Sequence, residues 1–330
     1  MWLTRPFLVA DIVPGAATDV TRMSKRKDFV TGPFRAAGKP RGNTAIPCLI
    51  DIPRGRTLYV PDLDKQQLCQ AAFANVHARM KAVSLLSVPW EAGPINRPFL
   101  AADPIYVFSS GRCGSTLLHK ILMAAEIQGI SEPDIATALI SSAYAKYRAL
   151  RPVLRWATRS YARDLVSALS DGPAPFVVKL RSQFCRAAKP LLRDSRERRT
   201  IFMTRDFEDW SRSVVQQFPV RPGFLFQEYR NALQCYAWLR QATDCHFLRY
   251  EDLVANPQRA MARLSQFLGH EIAGPAVDQA MAVHSQEGTR LAEASQQGVA
   301  RWEGMRDEVM RLWTASGTAE LCARVMHSSK

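Results

Sequence analysis

A short segment rich in glycine and hydroxyl groups joins a predicted strand to a predicted helix. It reads Ser-Ser-Gly-Arg-Cys-Gly-Ser-Thr-Leu-Leu over residues 109–118 and follows the apolar run Ile105–Phe108. Backbone N–H groups in a glycine-containing turn, together with the positive end of a helix dipole, suit an anion. The pattern therefore predicts a phosphate-binding loop. Its predicted binding residues are Gly111, Arg112, Cys113, Gly114, Ser115 and Thr116.

This loop differs from that of the enzymes that hydrolyse nucleoside triphosphates. Their sequence places Gly-Lys-Ser/Thr at the start of the helix, so that the lysine reaches the β and γ phosphates. Here Gly114 is followed by Ser115 and Thr116, and the basic residue Arg112 precedes the glycine. The pattern disfavours such a hydrolase. A nucleotide or small-molecule kinase of related fold stays an alternative, because it shares the strand-loop-helix phosphate site.

Two more basic residues are expected at the ends of predicted strands. Lys179 follows the apolar run Phe176–Val178, where a lysine has no structural reason to lie. Arg205 follows the run Thr200–Thr204, and ligands of doubly wound sheets bind where strands end. A guanidinium can bind a phosphate through two hydrogen bonds, and Ser213 in the next predicted helix could donate to the same phosphate. Taken alone, this pair is equally compatible with a salt-bridged strand end and a surface serine.

The elements that must position these residues alternate along the chain. Strands are predicted at residues 105–108, 176–180, 200–204 and 245–249, and helices at residues 115–127, 206–218, 227–241 and 257–268. Strands that alternate with helices are typical of a parallel sheet covered on both faces. The sequence therefore predicts an α/β fold with a central parallel sheet and helices on both of its faces.

The first third of the chain has a different composition. Residues 1–45 contain several arginines and lysines among glycine and proline, with little apolar periodicity. We expect them to be poorly structured, either as a solvated tail or as an electrostatic arm for an acidic partner. Residues 46–90 are expected to be partly ordered, with a helix near residues 64–82. We therefore predict an N-terminal extension over residues 1–100 and the main domain over residues 101–330.

Composition narrows the choice of partner. The 330 residues carry a formal charge of +14, which favours acidic ligands such as nucleotides, acidic glycans, nucleic acid or an anionic membrane surface. No recognised nucleic-acid motif appears, so nucleic acid is not expected. The seven cysteines form no Cys-x-x-Cys pair, which predicts reduced thiols, no metal site and a cytoplasmic location. No apolar run reaches the length needed to span a bilayer, so no transmembrane segment is expected.

Taken together, these segments resemble the P-loop sulfotransferases, which use 3′-phosphoadenosine 5′-phosphosulfate (PAPS) as sulfonate donor. Arg112–Leu118 is similar to the family's 5′-phosphosulfate loop, in which Ser or Thr is usual at the position of Cys113. Arg205, with Ser213 eight residues later, resembles the family's 3′-phosphate motif.

Two later segments extend the resemblance. Leu248–Leu253 is a familiar family segment, and Arg301-Trp302 resembles the basic-aromatic pair of the late cofactor loop. The resemblance covers about residues 103–313, and the order and spacing of the motifs carry it. It implies the P-loop NTPase-like sulfotransferase fold for the main domain, with Arg301 as a further cofactor-binding residue.

The resemblance also implies roles for the catalytic residues. Lys179 would bridge towards the leaving phosphate and the sulfuryl oxygens, and Arg112 would help to stabilise them. Arg181 takes a position at which one branch of the family has its catalytic histidine, so a histidine base is not expected. Glu132 lies 20 residues after Arg112, close to the spacing at which other sulfotransferases have a glutamate base. Asp134 is the alternative carboxylate. Pro133 predicts an extended backbone at Glu132.

A run of arginines between the loop and Lys179 is a candidate surface for binding the acceptor. Arg151, Arg155, Arg159 and Arg163 recur every fourth residue in a predicted helical stretch over residues 134–169, which places them on one helix face. Lys146 and Arg148 add positive charge. The face is compatible with an acidic acceptor, such as a uronic acid or sulfated glycan, and equally with simple solvation.

The sequence thus predicts a sulfotransferase that acts on a hydroxyl acceptor, with an acidic glycan as one candidate. Direct in-line transfer would use Glu132 as base, and Arg112 and Lys179 would stabilise the developing charge. The alternatives are the related kinase and a non-catalytic module that binds a nucleotide or polyanion.

Overall fold

The structure is a computed structural model that describes residues 6–12, 29, 32–38, 45–96, 103–140, 148–170, 172, 174–193, 195, 198–283 and 296–327. In chain order its strands are β1 Phe7–Asp11, β2 Arg35–Ala37, β3 Ile46–Asp51, β4 Arg56–Val60, β5 Ser84–Pro89, β6 Ile105–Ser109, β7 Gly129–Ser131, β8 Val177–Lys179, β9 Arg199–Thr204 and β10 Asp244–Arg249.

The α-helices are α1 Lys65–Gln70, α2 Ala74–Lys81, α3 Ser115–Ala124, α4 Arg151–Leu169, α5 Ala188–Leu192, α6 Phe207–Gln217, α7 Pro222–Ala242, α8 Tyr250–Ala255, α9 Pro257–Leu268, α10 Gly274–Ala282, α11 Gln296–Ala315 and α12 Thr318–His327. Short 3₁₀ turns lie at Ile52–Arg54, Trp90–Ala92, Asp134–Leu139, Arg148–Leu150 and Ser182–Ala187. None of these described helices is both long enough and apolar enough to cross a membrane.

The chain divides into two compact units. The first takes in residues 1–104, 127–179 and 189–197, and the second takes in residues 105–126, 180–188 and 198–330. Each unit is built around its own strands.

The first unit contains an antiparallel sheet in the order β2-β1-β5-β4-β3. All five residues of β4 are buried, as expected for a strand with neighbours on both sides. Helix α4 packs against β3 and against the 3₁₀ turn Asp134–Leu139. The Tyr59 hydroxyl on β4 donates a hydrogen bond of 2.5 Å to Asp164 Oδ2 on α4, so a buried polar contact joins this sheet to the helix.

Part of this sheet corrects the expectation for the N-terminus. Residues 1–45 are predicted to be poorly structured, but Phe7–Asp11 and Arg35–Ala37 form β1 and β2, so the prediction is wrong for these residues. Strand β1 pairs with β5, with Leu8 opposite Ser87, and this long-range partner supplies order that the local composition does not indicate. The other residues of the basic N-terminal segment lie mostly outside the described ranges.

The first unit also contains the parallel pair β7–β8, in which Ser131 lies opposite Lys179. Gly129 on β7 allows the close approach of the strands, because a Cβ there would lie 2.5 Å from the Val177 carbonyl oxygen. Strand ends carrying a hydroxyl and an ammonium group therefore lie side by side.

The second unit contains three parallel strands in the order β10-β9-β6. Helix α10 packs against α3, and α11 packs against α6. The aromatic side chains of Phe207, Trp210 and Tyr229 form one apolar cluster with Trp302 on α11. The mixed α/β fold with parallel strands is confirmed.

Two predicted helical stretches are interrupted. The stretch near residues 64–82 contains α1 and α2, which are separated by Ala71–Phe73. The stretch over residues 134–169 begins with a 3₁₀ turn and continues in α4 from Arg151, while residues 141–147 lie outside the described ranges.

Candidate active site

The predicted phosphate-binding loop joins β6 to α3 in the second unit. Its backbone is unusual, because Gly111, Arg112 and Gly114 have φ angles of 73°, 48° and 81°. Glycine adopts positive φ at little cost, whereas a residue with a side chain does so under strain. Helix α3 then begins at Ser115, and the Leu118 N–H donates to the Gly114 carbonyl at 2.9 Å. The loop thus leads directly into a helix N-terminus.

Neighbouring groups hold the loop at several points. The Gly111 N–H donates to Ser109 Oγ at 3.3 Å. The Cys113 side chain is fully buried, and its thiol donates to the Met203 carbonyl on β9 at 3.6 Å. Any contact of Cys113 with an anion is therefore left to its backbone. Ser115 and Thr116 are buried at the start of α3.

Two arginines and a serine predicted from the sequence come together beside this loop. Arg112 Nε donates to Ser213 Oγ on α6 at 3.1 Å. Burial, and after it the charge of Arg205, lowers the pKa of Arg112 to about 10. Arg112 therefore keeps its charge at neutral pH, although burial and the nearby charge of Arg205 disfavour the charged form. A bound anion would stabilise it.

Tyr250 covers this group from the end of β10. The Arg205 guanidinium carbon lies 4.4 Å from the centre of the Tyr250 ring, a cation–π contact. The same ring lies so close to the loop that a Cβ on Gly114 would be 2.5 Å from Tyr250 Cδ2. Gly114 is thus required both by its φ angle and by this contact.

Arg301, the last predicted cofactor-binding residue, has a different contact. Its Nη1 donates to the Val215 carbonyl on α6 at 2.9 Å. It lies on α11, whose Trp302 is buried in the aromatic cluster. Arg301 thus reaches the helix that carries Ser213, where it binds a main-chain oxygen.

The predicted catalytic pair Glu132 and Lys179 comes together in the first unit. Lys179 Nζ lies 2.6 Å from Glu132 Oε1, and the two side chains are 3% and 14% exposed. The ammonium also donates to Ser131 Oγ at 3.2 Å and lies 5.5 Å from the centre of the Phe73 ring. This is a buried ion pair with an additional hydrogen bond.

Glu132 does not have the predicted extended backbone, because its φ angle is 56°. The Glu132 N–H donates to the Lys179 carbonyl at 2.7 Å, and its carboxylate binds the ammonium of the same residue. Both ends of Glu132 are therefore tied to Lys179. These two bonds outweigh the preference that Pro133 imposes on the residue before it.

The alternative carboxylate, Asp134, is directed elsewhere in the first unit. It is 3% exposed and lines a small, mainly apolar pocket with Cys48, Asn75 and Ile130. Burial, and after it the charge of Asp134, raises the pKa of the Cys48 thiol. Lys179 thus pairs with Glu132, and Asp134 belongs to the pocket.

The arginine face lies on α4 of the first unit. Arg163 forms an ion pair with Asp103 at 2.9 Å. Burial, and after it the charges of Arg163 and Arg155, lowers the pKa of Arg159. The positive charges on this face therefore repel one another. Lys146 and the side chain of Arg148 lie outside the described residues.

Two residues that contact the loop or Arg205 are not predicted as site residues from the sequence. Trp210 hydrogen-bonds the loop, and Tyr250 packs on Arg205. Trp210 precedes Ser213 by three residues, so helical spacing could have placed it on the face that meets the loop. Among the described residues, no group of three or more His, Cys, Asp or Glu is arranged to hold a metal ion.

The parallel strands and the loop that joins β6 to α3 define an α/β protein that carries a predicted phosphate-binding loop. Comparison with known proteins makes this specific: the model of the sulfotransferase domain family matches residues 102–325. The chain belongs to this family, as the sequence motifs predict. No curated protein matches the chain in sequence.

Solved sulfotransferase structures are similar at low identity. STF9 from Mycobacterium avium is 11% identical with a TM-score of 0.41, covering 64% of this chain and 77% of its own. STF1 from Mycobacterium tuberculosis H37Rv is 17% identical with a TM-score of 0.41, covering 67% and 79%. Mouse SULT7A1 complexed with PAP is 11% identical with a TM-score of 0.39, covering 69% and 86%. The family match, and not these structures, carries the assignment.

Proposed function

We propose that this protein transfers a sulfuryl group from PAPS to a hydroxyl group of an acceptor. The observation that supports this most strongly is the contact between Arg112 and Ser213, with Arg205 close enough to lower the pKa of Arg112. Two guanidinium groups beside a loop that begins a helix suit a ligand with more than one anionic group. When bound, PAPS supplies the sulfuryl group that is transferred to the acceptor oxygen.

The loop, Arg205, Ser213 and Arg301 would hold the donor. Residues Arg112–Thr116 would direct backbone N–H groups at its 5′ phosphosulfate, Gly111 would give the loop its turn, and the Arg112 side chain would stabilise charge there. Arg205 and Ser213 would bind its 3′ phosphate. Arg301, whose Nη1 binds the Val215 carbonyl in this structure, would bind the donor through its other guanidinium N–H groups.

Glu132 and Lys179 would handle the proton and the developing charge. Glu132 would accept the hydroxyl proton as general base, since a carboxylate in a mostly buried position is well suited to that role. Lys179 holds the Glu132 side chain in place and would stabilise charge on the sulfuryl oxygens and the leaving phosphate. Asp134, which lines the separate pocket, is the less suitable base.

A labelling experiment tests this function. The protein is incubated with ³⁵S-labelled PAPS and a broad extract of acceptors, and the labelled product is identified. Label transfer supports the proposal, whereas turnover of ATP without PAPS would support the kinase. Binding of adenosine 3′,5′-bisphosphate (PAP) without transfer to any acceptor would support the non-catalytic module. Asp134→Asn serves as control for Glu132→Gln, because only the latter should strongly lower the rate of transfer.

For the acceptor, we propose an acidic molecule such as a uronic acid or sulfated glycan. The mutual repulsion of Arg155, Arg159 and Arg163 on α4 supports this, because an anion would relieve it. The matched variants are Arg155→Glu/Arg159→Glu on α4 and Arg259→Glu/Arg263→Glu on α9, which make the same charge change at the same helical spacing.

Only the α4 variant should raise KM for an acidic acceptor, and neither should alter KM for PAPS. An equal effect of both variants would mean that net charge is responsible. No effect of either would mean that the α4 face is simply solvated.

A further inference from the structure

The indole of Trp210 is directed at the backbone of the phosphate-binding loop. Its Nε1–H lies 3.0 Å from the Ser110 carbonyl oxygen and 2.8 Å from the Gly111 carbonyl oxygen, so one donor is shared between two consecutive acceptors. Trp210 is 1% exposed, and the contacts are therefore shielded from competing water. The inference below rests on the proposed function, because it assumes that this loop binds the donor.

These hydrogen bonds set the direction of a loop N–H group. A trans peptide is planar, with its carbonyl and its N–H on opposite sides. When the Gly111 carbonyl points at Trp210, the Arg112 N–H must therefore point away from it. The Gly111 N–H is separately fixed by Ser109 Oγ at 3.3 Å. Trp210 thus determines where the Arg112 N–H is presented.

The loop needs such support because its backbone is strained. Gly111 and Arg112 both have positive φ angles, of 73° and 48°. Such a conformation in a residue with a side chain persists only where the surroundings determine it. The indole N–H, shared between these two carbonyls, supplies such a constraint, because the Ser110 contact is buried and the Gly111 contact is partly buried.

The same helix face also holds the Arg112 side chain. Ser213 follows Trp210 by three residues on α6, and its Oγ accepts from Arg112 Nε at 3.1 Å. Trp210 thus orients the loop backbone, and Ser213 orients the side chain of Arg112.

The indole itself is fixed by its neighbours. Its ring lies 5.1 Å from the Tyr229 ring and 6.1 Å from the Phe207 ring, measured between centroids. The Tyr229 hydroxyl donates to the Arg205 carbonyl at 2.8 Å. The aromatic cluster therefore connects the loop with the backbone of the second predicted phosphate-binding arginine.

We propose that Trp210 is a positioning residue for the sulfonate donor: its indole N–H holds the loop in the conformation that binds the 5′ phosphate. It touches neither the donor nor the acceptor. Its effect on binding passes through the Ser110 and Gly111 carbonyls.

The test removes the donor N–H and keeps the shape of the ring. Trp210 is replaced by 3-benzothienylalanine, in which sulfur takes the place of the indole N–H, and in a second variant by phenylalanine. The matched control is Val214→Ala, which removes packing from the same apolar cluster but no hydrogen-bond donor. The Kd for PAP is measured by calorimetry, thermal unfolding by circular dichroism, and KM for PAPS separately from KM for the acceptor.

We expect both Trp210 variants to bind PAP about tenfold more weakly, because they lose the N–H donor that the two loop carbonyls share. KM for PAPS should rise in parallel, and KM for the acceptor should stay unchanged. Val214→Ala should unfold at a lower temperature and keep a Kd within about twofold of the wild type.

Two results would overturn the inference. If the wild-type protein binds PAP and the benzothienyl variant binds it equally well, Trp210 contributes packing alone and the proposed function stands. If the wild-type protein does not bind PAP, the proposed function fails, and the inference fails with it.

Discussion

The buried ion pair between Glu132 and Lys179 allows catalysis and stability to be separated in one set of variants. Its atoms are 2.6 Å apart, and the side chains of Lys179 and Glu132 are only 3% and 14% exposed, respectively. Removal of one partner from a buried pair costs about 3–5 kcal/mol, because the other charge is left without compensation. Removal of both partners is often nearly neutral. The variants are therefore Lys179→Met, Glu132→Gln and the two combined.

The expected free energies of unfolding follow from the contacts. Lys179→Met leaves the Glu132 carboxylate without its ammonium, so we expect a loss of about 3–5 kcal/mol. Glu132→Gln keeps an amide oxygen that can accept from Lys179, and Ser131 Oγ remains a second acceptor, so its loss should be near the lower limit. The combined variant should recover most of the loss, with a coupling energy of roughly 2–3 kcal/mol.

Activity should behave differently from stability. A general base contributes about 10²- to 10⁴-fold to the rate, so kcat of Glu132→Gln should fall by that factor. The combined variant should regain stability without regaining activity. Denaturant unfolding followed by circular dichroism gives the free energies, and transfer of ³⁵S label under saturating PAPS gives kcat.

An exposed pair provides the control. Glu208 and Arg306 are 2.7 Å apart, and their side chains are 36% and 54% exposed. Exposed pairs contribute little, so Glu208→Gln should leave the unfolding free energy unchanged within error. The reasoning is refuted if Glu132→Gln keeps near wild-type kcat, or if Lys179→Met is as stable as the combined variant.

Three further predictions concern the second unit. A Cβ at Gly114 would lie 2.5 Å from the Tyr250 ring at a φ of 81°, so Gly114→Ala should lose about 1–3 kcal/mol in denaturant unfolding; wild-type stability would contradict this. Arg205→Gln removes a charge that lowers the pKa of Arg112 and also removes the contact with the Tyr250 ring, so its two effects on stability oppose each other. Calorimetry should show at least about tenfold weaker PAP binding, and an unchanged Kd would exclude Arg205 from the site. Burial lowers the pKa of His246 from 6.5, so the unfolded chain takes up the proton at a higher pH than the folded protein does, and the melting temperature should fall as pH drops below 6.5. His246→Gln should reduce this fall, and the same pH dependence of melting temperature in the variant and the wild type would refute the prediction.

Local signals in the sequence predict the elements that carry the loop. Asn256 and Pro257 are a cap and a first-turn residue, and the helix runs over Pro257–Leu268 as predicted, with Asn256 Oδ1 accepting from the Arg259 N–H at 3.2 Å. Strand β6 and the start of α3 at Ser115 also agree with the prediction. In each case the determining residues are neighbours in sequence.

The antiparallel sheet of the first unit could not be predicted in this way. Strand β1 has only five residues and pairs with β5, which lies more than seventy residues further along the chain, with Val9 opposite Leu86. Its partner β2 has only three residues, two of them exposed, so neither apolar periodicity nor length marks it. The basic composition of the segment indicates a solvated tail, whereas pairing across the sheet decides the structure.

In the candidate site, too, some residues are identified by sequence motifs and others only by tertiary contacts. Motif spacing and family resemblance select Arg112 and Ser213, which are 101 residues apart, and the structure brings them into contact. They do not select Trp210, because its role depends on which side of α6 meets the loop. Nor do they give the backbone of Glu132, because local preference before proline is overridden by its two bonds to Lys179.

Backbone strain independently marks the residues that the sequence selects for chemistry. Within the described part of the chain, the non-glycine residues with positive φ are Arg112, Glu126 and Glu132. Two of the three are the predicted donor-binding arginine and the predicted base. Each pays a conformational cost and is held by specific bonds, Arg112 through Ser213 and the loop contacts of Trp210, and Glu132 through Lys179. Strain that is sustained by polar contacts is expected where a side chain must be presented in one orientation, whereas the positive φ of Glu126, just after the end of α3, is a common way for a helix to end.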